Sequence, residues 1–445
     1  MAEVKRNIVV IGMGYVGIPA AALLADVPGH KVTGVQRRSS RSGWKIDWIN
    51  AGNNPFEGEE PGMDELMARV VLEKKAFCVT DDYAVCKNAD VILIDVQTPT
   101  DTNRIPQYVS LREVSARAGR YLEAGTLVVI ESTVAPGTTQ NIVQPILERE
   151  SGLKAGTDFF LAFSYERVMP GKLLEYITDF PRVVGGIDPE STRRAVELYR
   201  TIVRKEITAT SVLAAELAKT MENAYRDVNI AFSNEMARVC EAMGVDVFEI
   251  RRLMNARPDR NMHLPGAGVG GHCLPKDSWL LKFGVDTYGS APVPLPMIAL
   301  AREINDAMPL HLVGLAVQAL SEQGVALDGA KVAVLGVAYL EDSDDTRNTP
   351  AAVVIEALQQ QCASVVAHDP YVRELDGYEL TRDLDMALQD ADAALIVTRH
   401  KPYYELDLAR VKSLMRRPIL VDGRNVFDAQ TARAAGFVYK GIGKG

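Results

Sequence analysis

The chain has little of what marks a secreted, membrane-bound or nucleic-acid-binding protein. Its five cysteines, Cys78, Cys86, Cys240, Cys273 and Cys362, are odd in number, scattered and without a CxxC pair. That argues against a disulfide framework or a metal (zinc) site and predicts a reducing, cytoplasmic setting. No apolar run approaches the ~20 residues a bilayer crossing needs. The first residues run straight into a strand, leaving no room for a signal peptide, so no membrane partner is expected. An excess of positive charge is also missing. The net charge of −9 offers no basic footprint for nucleic acid. An anionic ligand would need a local cluster of arginines and lysines.

What is present is a soluble globular composition, 47% hydrophobic and 24% charged, in a chain long enough for two or three domains. Strands are expected at Asn7–Ile11, Lys31–Val35, Val91–Asp95, Leu127–Glu131 and Phe159–Ala162, with helices between them. This alternation predicts a parallel sheet covered on both faces. Residues 209–242 then read as one long helix without proline or glycine, roughly 50 Å of it. Strand and helix alternation restarts at Lys331–Gly336, with further strands at Ser364–Ala367, Ala393–Val397 and Ile419–Val421. The run Asn88–Ile94 echoes Asp390–Ile396, each the end of a helix feeding a buried strand. The expected fold class is α/β, two Rossmann-like doubly wound domains joined by a long central helix.

Gly12-Met-Gly14-Tyr15-Val16-Gly17 follows the first strand and opens a helix, the context a dinucleotide-binding turn requires. The first glycine permits the turn, the second admits the pyrophosphate, and the third lets helix and strand pack closely. An acid that binds the ribose hydroxyls usually ends the second strand; here that place is Gln36, followed by Arg37 and Arg38. Glutamine still bonds a hydroxyl, whereas two arginines suit a 2′-phosphate. NAD is the expected cofactor and NADP the alternative.

A second glycine-rich run, Gly266-Ala-Gly-Val-Gly-Gly-His-Cys-Leu-Pro-Lys-Asp277, ends in a thiol beside a Lys–Asp pair. Cys273 there reads as a nucleophile on a substrate-gripping loop; the alternative is a buried thiol beside a tight turn. Lys219 and Asn223, spaced i,i+4, share one face of the long helix, either as functional groups or as a solvated face. Asp277 is equally suited to capping a helix through Ser278.

With both glycine runs in view, the chain resembles the UDP-glucose/GDP-mannose dehydrogenase family nearly end to end. Further signposts are Glu131-Ser-Thr-Val, Tyr165-Glu-Arg-Val-Met-Pro-Gly171, Lys219 to Asn223, Asp344-Asp-Thr-Arg347 and Asp422-Gly-Arg-Asn-Val-Phe427. The likeness is greatest to the branch acting on UDP-N-acetylhexosamines, through Glu166-Arg-Val-Met-Pro-Gly171, Arg226-Asp-Val-Asn-Ile-Ala-Phe232 and His272. The resemblance implies NAD-dependent oxidation of the C6 alcohol of a UDP-sugar twice, to a uronic acid for polysaccharide, with UDP-N-acetylmannosamine first among substrates. UDP-N-acetylglucosamine, UDP-N-acetylgalactosamine, UDP-glucose and a non-catalytic nucleotide-sugar sensor are the alternatives.

It also implies three regions: an NAD-binding domain at 1–208, a central helical dimerisation region with the Cys loop at 209–310, and a UDP-sugar-binding domain at 311–445. A homodimer is implied across the long helix, where Leu217, Met221, Ala224, Val228 and Ala231 recur at helical spacing.

Carried over residue by residue, Cys273 is the nucleophile. A thiol is wanted because a bare aldehyde expels hydride poorly until a thiolate has added to it. Lys219 is the expected source of positive charge near the thiolate, and Lys219 with Asn223 would stabilise the oxyanion. Asp277 is a proton acceptor, and Glu166 with Thr133 positions water. Cofactor contacts fall to Gly12, Gly14, Tyr15, Val16, Gly17, Gln36, Arg37, Thr98 and Thr133. Substrate contacts fall to Glu166, Arg167, Val168, Lys219, Asn223, Arg226, Arg257, Arg260, Gly270, His272, Arg347 and Arg424. Arg182 is a further diphosphate candidate. One departure stands out: Leu340 occupies a place where the family carries lysine.

Overall fold

The computed structural model describes residues 5–56, 58–361 and 363–445; Cys362 lies outside them. The first sheet contains β1 (Arg6–Ile11), β2 (His30–Val35), β3 (Phe77–Thr80), β4 (Val91–Ile94), β5 (Leu127–Ile130), β6 (Phe160–Phe163), β7 (Arg182–Gly186) and β8 (Ile207–Ser211). Their order is β3-β2-β1-β4-β5-β6-β7-β8. The second sheet contains β9 (Lys331–Leu335), β10 (Ser364–His368), β11 (Leu380–Thr381), β12 (Ala393–Ile396), β13 (Ile419–Asp422) and β14 (Val438–Gly441), in the order β11-β10-β9-β12-β13-β14. Renumbered within each sheet, the first six strands of one and all six of the other run 3-2-1-4-5-6, the doubly wound arrangement.

Both sheets are covered on two faces, which explains why their strands read as continuous apolar runs. Ile8 and Val10 point into one core cluster while Val9 and Ile11 point into another. In the second sheet Val332 and Val334 divide from Ala333 and Leu335 in the same way.

The chain forms two compact bodies. One contains the residues up to Glu222 and Lys276–Pro294; the other contains Asn223–Pro275 and Leu295–Gly445. The boundary falls inside the long helix, Val212–Met243. That helix starts three residues later than its sequence suggests, because Ala209–Ser211 pair with Val184–Gly186 as β8. β-Branched Thr208 and Thr210 favour this strand, and helix propensity takes over only at Val212. The first sheet is also not wholly parallel: β7 runs antiparallel to β6. The short strands β3, β7, β8, β11 and β14 escape a reading based on long apolar runs.

Candidate active site

In the first body the turn after β1 forms a cradle. Gly12 has φ of 111°, and a Cβ there would meet the Asp95 carbonyl oxygen at 2.1 Å. At Gly17 a Cβ would meet the Gly12 carbonyl oxygen at 1.9 Å, whereas Gly14 has nothing within 4 Å of that position. The outer glycines thus serve packing, and Gly14 leaves open backbone for a pyrophosphate, so the turn fits a dinucleotide. Tyr15 stacks on Phe56 with ring centroids 4.8 Å apart, and Val16 precedes the helix Gly17–Asp26. Gln36 follows β2 and accepts the Met13 N–H at 3.2 Å. Thr98, buried, donates to the Thr133 carbonyl at 2.6 Å, bringing those two predicted cofactor residues together.

Beyond β6, Glu166 and Lys219 meet: the Lys219 ammonium donates to the Glu166 carbonyl at 2.8 Å and lies 5.2 Å from the Tyr165 ring centre. Lys219 is only 7% exposed, so its helix face is not a solvated one. Arg167 donates to Glu222 at 3.0 Å, and Tyr165 donates to the same carboxylate at 3.0 Å. Val168 packs at the edge of the core.

Arg182 is not a diphosphate ligand on a surface. It is 3% exposed at the start of β7, where it pairs with both Glu131 and Glu166, donates to Ser164 Oγ at 2.7 Å and lies over the Tyr199 ring. Tyr199 also donates to Glu131 at 2.7 Å. Below the glycine turn, Asp95 Oδ2 and Glu131 Oε2 are shut off from solvent, and the Asp95 side chain hydrogen-bonds Glu131. Burial first, and then the Glu131 carboxylate, push the Asp95 pKa well above the usual range. Neither Asp95 nor Tyr199 is evident as part of a site from sequence. The available signal is an acid closing an all-apolar strand, as in Val91-Ile-Leu-Ile-Asp95 and Leu127-Val-Val-Ile-Glu131.

Asp277 lies in the first turn of the helix Leu274–Tyr288, not before it, so it is not that helix's cap. Its carboxylate is fully buried and accepts the Lys276 ammonium at 2.5 Å. A carboxylate this enclosed is costly to leave without such a partner.

The second body holds the thiol. Cys273 is exposed, which removes the buried-thiol reading. The loop before it is fixed by backbone: Gly271 N–H donates to the Arg347 carbonyl at 2.9 Å, and Asn348 donates back to the Gly271 carbonyl at 3.0 Å. Gly271 has φ of 89°, and a Cβ there would strike the Tyr339 ring at 2.6 Å. Gly270 is equally close to Tyr339, a neighbour the sequence does not single out. Arg347 pairs with Asp345. Partial burial opposes its charge, but Asp345, Tyr339 and Cys273 together hold its pKa above the usual guanidinium value. Arg347 is thus a cation in this body within electrostatic reach of Cys273.

Arg424 anchors the other end of the glycine run, donating to the carbonyls of Gly268 at 2.9 Å and Val397 at 2.8 Å. Burial, and then Arg399, lower its pKa to about 10, which leaves it charged at neutral pH. Arg257 and Arg260 lie elsewhere, on a solvent-facing loop where both bind Asp259. Asn223 and Arg226 belong to this body as residues of the long helix, and His272 is half-buried beside Cys273.

The chain has close counterparts among known proteins. A curated relative named UDP-N-acetyl-D-mannosamine dehydrogenase, from Pyrococcus horikoshii, is 37% identical over 99% of both chains. A solved structure of UDP-D-ManNAc dehydrogenase from the same organism superposes with a TM-score of 0.90 at 36% identity, covering 99% of each chain. Another, of NDP-N-acetyl-D-galactosaminuronic acid dehydrogenase from Methanosarcina mazei Go1, gives 0.85 at 43% identity, covering 99% of this chain and 95% of its own. Family models match the NAD binding domain over residues 6–203, the central domain over 213–307 and the UDP binding domain over 333–429. The chain belongs to the UDP-glucose/GDP-mannose dehydrogenase family.

Proposed function

We propose that this enzyme oxidises the C6 alcohol of a UDP-N-acetylhexosamine, UDP-N-acetylmannosamine first among them, to the uronic acid through a thioester on Cys273. The observation that carries the reading is an exposed thiol closing a glycine run that Arg424 and Arg347 hold from either end. Full-length relatives named for N-acetylmannosamine and N-acetylgalactosaminuronic acid substrates support the sugar class.

Overall, alcohol, water and two NAD⁺ give carboxylate, two NADH and three protons. NAD, when bound, supplies the hydride acceptor. The Cys273 thiolate adds to the C6 aldehyde, and loss of hydride from the thiohemiacetal leaves a thioester that water opens. Lys219 and Asn223 carry the oxyanion role, an electrostatic one often worth ~3 kcal/mol per donor. Asp277 accepts a proton, Glu166 and Thr133 orient water, and Arg347 and Arg424 hold the UDP group. The division at 1–208, 209–310 and 311–445 assigns these tasks to three regions.

A homodimer fits the long helix. Met221, Tyr225, Phe232, Val239 and Met243 are all exposed, and their spacing of four, seven, seven and four residues makes one apolar stripe. Of the seam expected from sequence, Ala224 and Ala231 are instead buried in their own chain. Sedimentation as a monomer at micromolar concentration would refute the dimer. A reducing cytoplasm suits the exposed thiol.

The decisive experiment counts NADH per sugar over a panel of UDP-sugars. Two per molecule, highest with UDP-N-acetylmannosamine, and loss of acid production in Cys273→Ala are expected. One NADH per sugar with full activity in that variant would overturn the reading.

A further inference from the structure

We infer that the edge of the cofactor cleft beyond β2 binds a 2′-phosphate through Arg37, Arg38 and Ser39, so that the enzyme accepts NADP as well as NAD. The inference rests on the dinucleotide turn at Gly12–Gly17 and is independent of which sugar is oxidised.

In a sheet of this order, the residue after β2 flanks the adenosine ribose. A carboxylate there binds both ribose hydroxyls and repels a phosphate on the 2′ oxygen. Gln36 brings no charge, and its amide already has partners in the fold. Oε1 accepts the Met13 N–H of the glycine turn at 3.2 Å, while Nε2 donates to Ser42 Oγ at 2.9 Å and to the Arg37 carbonyl at 3.3 Å. Gln36 therefore ties the pyrophosphate turn to the segment that follows it.

That segment is a compact turn. Gly43 N–H donates to the Ser39 carbonyl at 2.8 Å, and Ser42 N–H to Ser39 Oγ at 3.2 Å. The Ser39 and Ser42 hydroxyls lie 3.0 Å apart and share one hydrogen bond. Two hydroxyls sharing one bond leave one proton for an outside acceptor. Around them stand the exposed side chains of Arg37, Arg38 and Arg41. Lys45 reaches back to the Met13 carbonyl at 3.3 Å. Four cations within nine residues, in a chain of net charge −9, form a local exception at the place where a phosphate would lie.

The acids nearby do not cancel it. Arg38 pairs with Asp81 at 3.3 Å and Asp47 at 3.8 Å, but Arg38 and Asp47 are more than half exposed and Asp81 nearly so. Such surface pairs are weak, and a guanidinium exchanges one readily for a dianion that it can bind with two parallel bonds. Arg37 has no ion-pair partner among the described residues. Neutral Gln36 does not exclude NAD, so the site accepts both cofactors.

The first arm of the test needs neither sugar nor turnover. Calorimetric titration of the full-length enzyme should show 2′,5′-ADP binding at least about tenfold tighter than 5′-AMP, the gain expected from added charge-assisted bonds. The Arg37→Ala/Arg38→Ala double variant should lose that margin, and Gln36→Asp should reverse it. Steady-state assays should show NADP-linked turnover falling by a larger factor than NAD-linked turnover in the double variant. Equal binding of the two nucleotides by the native enzyme, or an undiminished margin in the double variant, would overturn the inference. NAD-linked oxidation of the sugar would then still stand. If neither nucleotide bound, the dinucleotide reading of the glycine turn would fall with it.

Discussion

The β1–β6 and β9–β14 sheets share strand order, and they share small fittings as well. Asn88 and Asp390, each with positive φ, precede β4 and β12. Two residues on, Asp90 accepts the Asn7 N–H at the start of β1, and Asp392 accepts the Lys331 N–H at the start of β9. Gly12 and Gly336 each follow the first strand with positive φ and donate to the end of the second, at Val35 and His368. The sheets diverge immediately afterwards. The first passes from Gly12 to a helix beginning at Gly17; the second spends residues 337–349 in a loop before its helix at Pro350. A short turn presents bare helix-end backbone to a pyrophosphate, whereas the long loop presents Tyr339 and Arg347 to the glycine run. One topology thus presents two different surfaces through the length of a single connection.

The position after the second strand makes the same point. Asp369, the counterpart of Gln36, accepts Val337 and Ala338 N–H at 2.7 and 3.0 Å and binds His400 at 3.0 Å. That acid is turned inward to hold the loop. Despite its burial, His400 and the backbone donors keep its pKa below the usual value.

The largest difference between the bodies is the Arg182 cluster, which rests on β7 and has no place in the six-stranded sheet. Arg182→Met should strand Glu131 and Glu166 without their cation and destabilise the first body by about 3–5 kcal/mol. Thermal unfolding followed by calorimetry would measure this. A loss below 1 kcal/mol would mean that the cluster does not hold the sheet extension together. Glu131→Gln tests the same network more gently.

A second contrast is in pH response. Glu216, buried in the first body, accepts the Gly137 and Thr139 N–H groups at 2.6 and 2.9 Å, yet burial raises its pKa to about 7. A raised carboxyl pKa stabilises the fold fully below its unfolded value, and the contribution is lost as pH climbs through the folded one. Between about pH 4.5 and pH 7 the loss should approach about 3 kcal/mol. Asp369 works the other way: its lowered pKa gives stability present above about pH 4 and lost in stronger acid. Glu216→Gln should flatten the decline between pH 5 and 7 while leaving the acid limb unchanged. An unaltered slope in that variant would assign the decline to other groups.

Much of this was legible in the sequence, and the failures share a cause. The glycine turns, the apolar strands and the Cys273 loop are local signals, each written in consecutive residues. Arg182, Asp95 and Tyr339 act through partners dozens of residues away, and spacing along a chain does not report such meetings. The echo between Asn88–Ile94 and Asp390–Ile396 is the instructive middle case. It looks like any buried strand in sequence, yet the structure puts both copies at the same strand position with the same side-chain-to-backbone bond.

That echo also yields the finest contrast. Asp90 is exposed, whereas Asp392 is 1% exposed and carries Arg416 and Arg417 as well as the Lys331 N–H. Losing a surface carboxylate that holds one backbone donor should cost no more than about 1 kcal/mol, since water replaces it. Losing the buried charge removes the partner of two guanidinium groups, so Asp392→Asn should cost about 1–3 kcal/mol. Urea unfolding of Asp90→Asn and Asp392→Asn, read as midpoint shifts at constant slope, would rank them. Equal costs would mean that the shared backbone bond, not burial and the two arginines, sets the worth of an acid at this corner of the fold.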